Sequence, residues 1–229
     1  IMLEYILNNY FMLLYFLALI LSIVKYHLYY DTILKYLPIL IVYTFLTETL
    51  GIIIRDVDEI QIIYKQEYYN YNTAIFNIFD IIFFLYFFYI FYHIIENSLC
   101  KKIIKYGSVV FVLTCTINLF VQDFYVDPQN YAIIIGAIIL LYAVLNYLYT
   151  TFSKKHKLQL HNNLLFWISL GILIFYTFYP VSMYILTYHY NFYDQYNLTV
   201  FHHATIGVLY SCIIIGFMFM KRLRIISKK

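Results

Sequence analysis

The chain has 229 residues, of which 64% are hydrophobic, 22% aromatic and 12% charged, and its mean hydropathy is +0.76. Soluble domains carry about 25% charged residues, so this composition excludes a soluble protein. Tyr (29) and Phe (21) far outnumber Gly (6) and Pro (3), which excludes collagen-like, linker-like and disordered chains. The composition therefore predicts a helical protein that crosses a membrane several times.

Taken in chain order, the apolar stretches predict seven transmembrane helices, because a helix needs about 20 apolar residues to cross the hydrocarbon core. They lie at about 5–24, 36–54, 73–95, 103–121, 131–152, 164–188 and 198–220. Glu4 and no basic residue precede the first stretch, so we expect it to be a span and not a removable signal peptide. Stretches 81–92 and 133–142 do not alternate in polarity as barrel strands do. We predict an all-α, polytopic membrane protein, with residues 1–229 forming a single transmembrane domain.

The basic residues predict the orientation of these helices. All but two of the 15 Lys and Arg residues lie in the first, third and fifth connections and in the C-terminal tail. The exceptions, Arg55 and Lys65, lie in a connection on the other side, where most of the acidic residues are found. Because basic loops stay in the cytoplasm, we expect the N-terminus outside and the C-terminus cytoplasmic.

Ionisable side chains within the spans are the first candidates for a functional site, because they are costly in hydrocarbon. Glu48, Asp80 and the His202–His203 pair lie in three different spans. Each is five to seven residues from the predicted external boundary, a depth of roughly 8 to 11 Å at 1.5 Å per residue. This common layer predicts a polar pocket that opens to the outside. The alternative is that these groups are satisfied packing residues.

Helical spacing adds neighbours to these groups. Thr44, Thr47, Glu48 and Gly51 share one face of the second span, and Asn70, Thr73, Asn77 and Asp80 share one face of the third. The predicted ligand-binding residues are Glu48, Asn77, Asp80, Asn118, Tyr179, His202 and His203. Adjacent residues point about 100° apart on a helix, so we expect only one histidine to face the bundle. If it is His203, the inward stripe continues through Gly207 and Tyr210.

Four segments of the chain resemble small uncharacterised seven-span inner-membrane proteins of Gram-negative bacteria. They are residues 45–51 (FLTETLG), 75–80 (IFNIFD), 165–171 (LFWISLG) and 209–217 (LYSCIIIGF). This resemblance implies a seven-helix fold in the bacterial inner membrane and no known activity; those proteins tend to carry Glu where this chain has Asp80. A short run, Phe178 to Val181, is similar to the retinal-pocket segment of microbial rhodopsins. No lysine lies between Lys157 and Lys221, so a retinal Schiff base is excluded.

These observations favour a receptor or sensor-like module over an enzyme. Such a module would take a small ligand or a proton from outside and signal through a separate cytoplasmic or membrane partner. The alternatives are a proton-coupled transporter of small solutes, a scaffold subunit for another membrane protein, and an intramembrane metal-dependent hydrolase. The hydrolase is disfavoured because the chain has no HExxH motif. We expect no catalytic residue, bound metal, cofactor or nucleic-acid partner, and the lipid bilayer as surroundings.

Overall fold

A computed structural model describes residues 10–153 and 157–222 of the chain, and these residues form eight α-helices. The helices are α1 (Tyr10–Val24), α2 (Leu37–Asp56), α3 (Thr73–Ile94), α4 (Ser98–Asn118), α5 (Asn130–Ser153), α6 (Leu164–Tyr188), α7 (Tyr190–Gln195) and α8 (Leu198–Phe219). Short 3₁₀ helices lie at Tyr26–Leu28, Gln66–Tyr68 and Lys157–Asn162. The prediction of an all-α chain is confirmed.

Five of the described helices, α2, α3, α5, α6 and α8, are long and apolar enough to cross a membrane. This is the length and composition of a multi-pass membrane protein. α1 has 15 described residues and is also apolar, while the start of its predicted span, 5–9, lies outside the described residues. α4 begins five residues before the predicted span and includes Lys101, Lys102 and Lys105, which interrupt its apolar run.

Local sequence explains where several helices begin. The Asn97 side chain accepts hydrogen bonds from the amides of Leu99 (2.9 Å) and Cys100 (3.2 Å), and so caps α4. Pro38 lies in the first turn of α2, where its missing N–H has no cost. Pro180 lies inside α6, which continues through it although proline removes one backbone hydrogen bond.

Six of the described helices form a closed ring in the order α1, α2, α3, α5, α6, α8, in which α8 packs back against α1. α4 packs outside this ring, against α3 and α5. α6 and α8 pack closely at two glycines. A Cβ at Gly171 would lie 3.0 Å from the backbone oxygen of Leu209, and one at Gly216 would lie 2.9 Å from Leu164 Cδ1. These glycines let α6 and α8 pack closely, as small residues do in membrane bundles.

The two ends of the ring differ in charge. The end that carries the connections 57–72, 119–129 and 189–197 is called the acidic end, and the opposite end, with the connections 25–36 and 95–97, is called the basic end. The acidic end carries Asp56, Asp58, Glu59, Glu67, Asp123, Asp127 and Asp194, together with Arg55 and Lys65. At the basic end, Arg222 pairs with Asp31 at 3.4 Å, which ties the end of α8 to the connection after α1.

The outward faces of the ring are apolar. Exposed side chains include Leu13 of α1 (69%), Ile39 of α2 (65%), Ile138 of α5 (63%) and Met218 of α8 (60%). Continuous apolar exposure on several sides of a helical bundle is unfavourable in water and favourable in lipid. The polar side chains that remain within the ring are therefore the ones that need an explanation.

Candidate functional site

A cavity of about 300 Å³ lies inside the ring and reaches the acidic end. Side chains of α1, α2, α3, α6 and α8 line it, together with Asn72 and Pro128 from the connections before α3 and α5. Along α3 the lining runs from Thr73 to Phe83, which is about 15 Å at 1.5 Å per residue. All of the predicted site residues except Asn118 line this cavity. The polar groups of α2, α3 and α8 therefore line the same cavity.

Asp80 lies on one side of the cavity and is joined to α6. Its side chain is buried (8% exposed), and its Oδ2 accepts a hydrogen bond of 2.7 Å from the Tyr179 hydroxyl. Aromatic rings surround this pair: Tyr179 stacks on Phe175 with ring centroids 4.9 Å apart, and Tyr176 packs edge-on at 5.7 Å. A buried carboxyl group needs such a donor, because it loses its hydration in an apolar setting.

Glu48 repeats this arrangement on the other side, between α2 and α1. The Tyr15 hydroxyl donates to Glu48 Oε1 at 3.1 Å. The Tyr15 ring packs against Tyr210 of α8 at 4.2 Å and against Phe11 at 5.8 Å. Each carboxyl group is thus bound by a tyrosine from a different helix and lies among aromatic rings.

Both histidines line the cavity, which corrects the expectation that only one of them faces the bundle. The His203 ring packs on Phe11 of α1 at 4.8 Å, and the His202 ring lies 5.6 Å from Tyr179 of α6. The two side chains point about 100° apart on α8. Both can still reach the cavity because α8 lies between α1 and α6 in the ring. Within the described part of the chain, the buried Nδ1 of His202 has no hydrogen-bond partner.

Asn77 lines the cavity, but its side-chain amide is hydrogen-bonded to the backbone of the connection 119–129. Its Nδ2 donates to the carbonyl oxygens of Phe124 (2.9 Å) and Asp127 (3.0 Å), and its Oδ1 accepts from the Gln129 amide (3.1 Å). The side chain is 2% exposed. Asn77 therefore holds the connection before α5 against α3.

Asn118 lies away from the cavity because α4 is outside the ring. Its Nδ2 donates to Gln122 Oε1 at 2.6 Å, and the same oxygen accepts from the Asn130 amide at 3.2 Å. Asn130 in turn donates to Thr187 Oγ1 at 2.8 Å. These bonds join the adjoining ends of α4, α5 and α6.

Asn70 does not continue the polar face of α3, which begins at Thr73. Its backbone has a left-handed φ of 62°, and its amide donates to Gln61 Oε1 at 2.7 Å. The helical spacing that placed Asn70 above Thr73 was therefore wrong. Thr47 is buried on α2 but does not line the cavity.

Towards the basic end the ring is filled with apolar side chains. Phe84, Phe87, Phe91, Ile172 and Phe217 are each at most 1% exposed. The buried serines of that half, Ser22 and Ser169, do not line the cavity. The cavity therefore ends inside the bundle.

The sequence interpretation missed several polar residues of the cavity wall, among them Tyr15 and Arg55. Tyr15 is one of 29 tyrosines, and no spacing distinguishes it from the others. Arg55 was assigned to an external connection, but it lies on the last turn of α2 and lines the cavity at the acidic end. Its Nε pairs with Asp56 Oδ1 at 2.8 Å. The sequence signal that could have revealed Arg55 is its position as a basic residue in the last turn of α2.

The acidic end has more carboxylates than cations. Tyr68 is half-buried there and donates a hydrogen bond of 3.4 Å to Asp123 Oδ2. The nearby Asp123 carboxylate raises the pKa of Tyr68 above its ordinary value. A positively charged solute is therefore attracted to the end at which the cavity begins.

Fold and site together define the class: a helical, multi-pass membrane protein with a polar, aromatic cavity within its bundle. Comparison of the chain with protein-family models, with curated proteins and with solved structures gave no match. Among residues 10–153 and 157–222, no three His, Cys, Asp or Glu side chains lie close enough together to hold a metal ion.

Proposed function

We propose that this protein is a seven-helix membrane receptor or sensor-like module. A small ligand enters the cavity from the acidic end, which faces the outside, and a separate cytoplasmic or membrane partner reads the response at the basic end. In this proposal α1 and α4 cross the membrane together with the five long apolar helices. The proposed location is the bacterial inner membrane, in keeping with the resemblance to small seven-span proteins.

The observation that carries the proposal is the pair of hydrogen bonds from Tyr179 to Asp80 and from Tyr15 to Glu48, both at the cavity wall. One joins α6 to α3, and the other joins α1 to α2. A ligand that binds either carboxyl group competes with the tyrosine for it. Ligand binding therefore has a direct way to change the contacts between helices, which a two-state sensor requires.

The position of Tyr179 favours movement of α6. Tyr179 directly precedes Pro180, where the helix lacks one backbone hydrogen bond. If the Tyr179 hydroxyl were released from Asp80, α6 would lose this hydrogen bond to α3 beside the residue at which its backbone lacks one. The apolar filling towards the basic end supports a sensor over a transporter, because a transporter needs polar groups along the whole path.

Ligand response is tested with a fluorophore at the basic end. The probe is attached to Lys35→Cys, an exposed position before α2, and thermal unfolding in nanodiscs is used to screen small solutes. We expect a solute that raises the unfolding temperature also to change the fluorescence. Asp80→Asn should abolish both responses, since asparagine can still accept the Tyr179 hydrogen bond but carries no charge.

The matched control is Asp58→Asn, the same change at an exposed position of the acidic end, and it should leave both responses intact. A solute that binds without any change at the basic end would contradict the sensor proposal. Solute-coupled proton flux in proteoliposomes, lost in Glu48→Gln, would instead support the transporter.

The proposed topology predicts opposite labelling at the two ends. In a chain whose half-buried Cys212 is replaced by alanine, Asn191→Cys should react with a membrane-impermeant maleimide on spheroplasts. Lys35→Cys should react only after permeabilisation. Leu99 lies in the first turn of α4 and Phe120 lies just after its end, and both are exposed (63% and 86%). Leu99→Cys and Phe120→Cys should therefore label from opposite sides. Labelling of both from one side would contradict a membrane-spanning α4.

A further inference from the structure

We infer that the cavity binds a small organic cation, an ammonium group attached to an apolar or aromatic body. This inference rests on the proposed function, because it names the class of ligand that the sensor would take. It follows from the charge of the cavity wall, from the arrangement of its aromatic rings and from the charge of the acidic end.

Two of the ionisable groups inside the cavity are carboxyls, one on α2 and one on α3. The ionisable residues of the lining, tyrosines apart, are Glu48, Arg55, Asp80, His202 and His203. Arg55 lies at the acidic end and is already paired with Asp56, through Nε at 2.8 Å and a guanidinium N–H at 3.2 Å. Among the described residues, the side-chain donor to each of Glu48 and Asp80 is a neutral tyrosine hydroxyl. An ammonium ion supplies the charge and the donors that buried carboxylates lack.

Aromatic rings form the wall on both sides of these carboxyls. Around Asp80 the rings follow one another: Phe79 to Phe83 at 5.7 Å, Phe83 to Tyr176 at 5.4 Å and Tyr176 to Tyr179 at 5.7 Å. All four rings line the cavity. Aromatic faces attract ammonium and quaternary ammonium groups, most strongly when water is excluded.

The size of the cavity and its approach suit the same ligand. A volume of about 300 Å³ lies at the lower end of the range for small-molecule sites. The end at which the cavity begins carries more carboxylates than cations, so a cation is concentrated there and an anion is repelled. Arg55, and His202 and His203 if they were protonated, are the lining groups that would favour an anion, and an anionic probe tests this alternative.

The experiment compares three probes of similar shape and different charge on the full chain in nanodiscs. They are 2-phenylethylamine, 2-phenylethanol and 3-phenylpropanoate, with binding measured by calorimetry. We expect the amine to bind at least about tenfold more tightly than the alcohol, the difference that one favourable charge contact gives. Asp80→Asn should reduce this ratio to below about threefold, while Asp58→Asn should leave it unchanged.

Equal binding of amine and alcohol, or tighter binding of the propanoate, would overturn the inference of a cation site. The fluorophore at Lys35→Cys separates this result from the proposed function. A cavity that binds the propanoate or the alcohol and changes the fluorescence is a sensor for another ligand. Amine binding that depends on Asp80 without a change in fluorescence supports the cation site and contradicts the sensor.

Discussion

Replacing Asn77 with aspartate is expected to destabilise the protein by about 3 kcal/mol or more, because a buried carboxylate replaces a satisfied amide donor. The Asn77 Nδ2 lies 2.9 Å and 3.0 Å from two carbonyl oxygens, of Phe124 and Asp127. In the variant, a carboxylate oxygen would take the place of Nδ2. It would lie at hydrogen-bond distance from both carbonyl oxygens with no proton to donate to either. The free energy of unfolding is measured by titration with SDS in mixed micelles, followed by circular dichroism.

The control for this change is Asn191→Asp, an identical substitution at an exposed position on α7, which should change the free energy of unfolding by less than about 0.5 kcal/mol. Amide hydrogen exchange gives a local measurement. It should rise in the connection 119–129 of Asn77→Asp. Unchanged exchange there, or equal effects of the two variants, would show that Asn77 does not hold this connection.

The physical cost of charge in hydrocarbon explains why part of the site was predictable. Glu48 and Asp80 could be singled out because few ionisable residues fall within apolar stretches, and helical geometry gave them similar depths. The structure places both at one cavity. The tyrosines that bind them were harder to predict. Tyr179 is among the predicted site residues, whereas nothing in the sequence distinguishes Tyr15 among 29 tyrosines.

The parts that could not be predicted depend on how the helices are arranged around the ring. The sequence shows that Asn118 is polar, but not that α4 lies outside the ring, where its side chain contacts Gln122 and not the cavity. The helix α4 begins five residues before the predicted span, because its first turns contain lysines and an apolar stretch does not include them. Lysine has a long apolar stem and is accommodated in these turns.

The link between α3 and α6 should be the stronger of the two tyrosine–carboxyl pairs. The Tyr179–Asp80 bond is 2.7 Å long and buried, whereas the Tyr15–Glu48 bond is 3.1 Å long and partly exposed. Tyr179→Phe removes the only side-chain donor that Asp80 has among the described residues, so we expect a loss of about 1 to 3 kcal/mol in the free energy of unfolding. Tyr15→Phe should cost less.

Double-mutant cycles in the same unfolding assay separate these bonds from the packing of the rings. Tyr179→Phe combined with Asp80→Ala should show a coupling energy of about 1 to 2 kcal/mol, and Tyr15→Phe with Glu48→Ala a smaller one. Additive effects in the first cycle would mean that the bond does not stabilise the resting bundle. A ligand that displaces Tyr179 would then have no interhelical energy to release, and the sensor proposal would lose its physical basis. Strong coupling would instead give the free energy of the Tyr179–Asp80 bond. That value is the upper limit of the interhelical free energy that a ligand at Asp80 can change by displacing Tyr179.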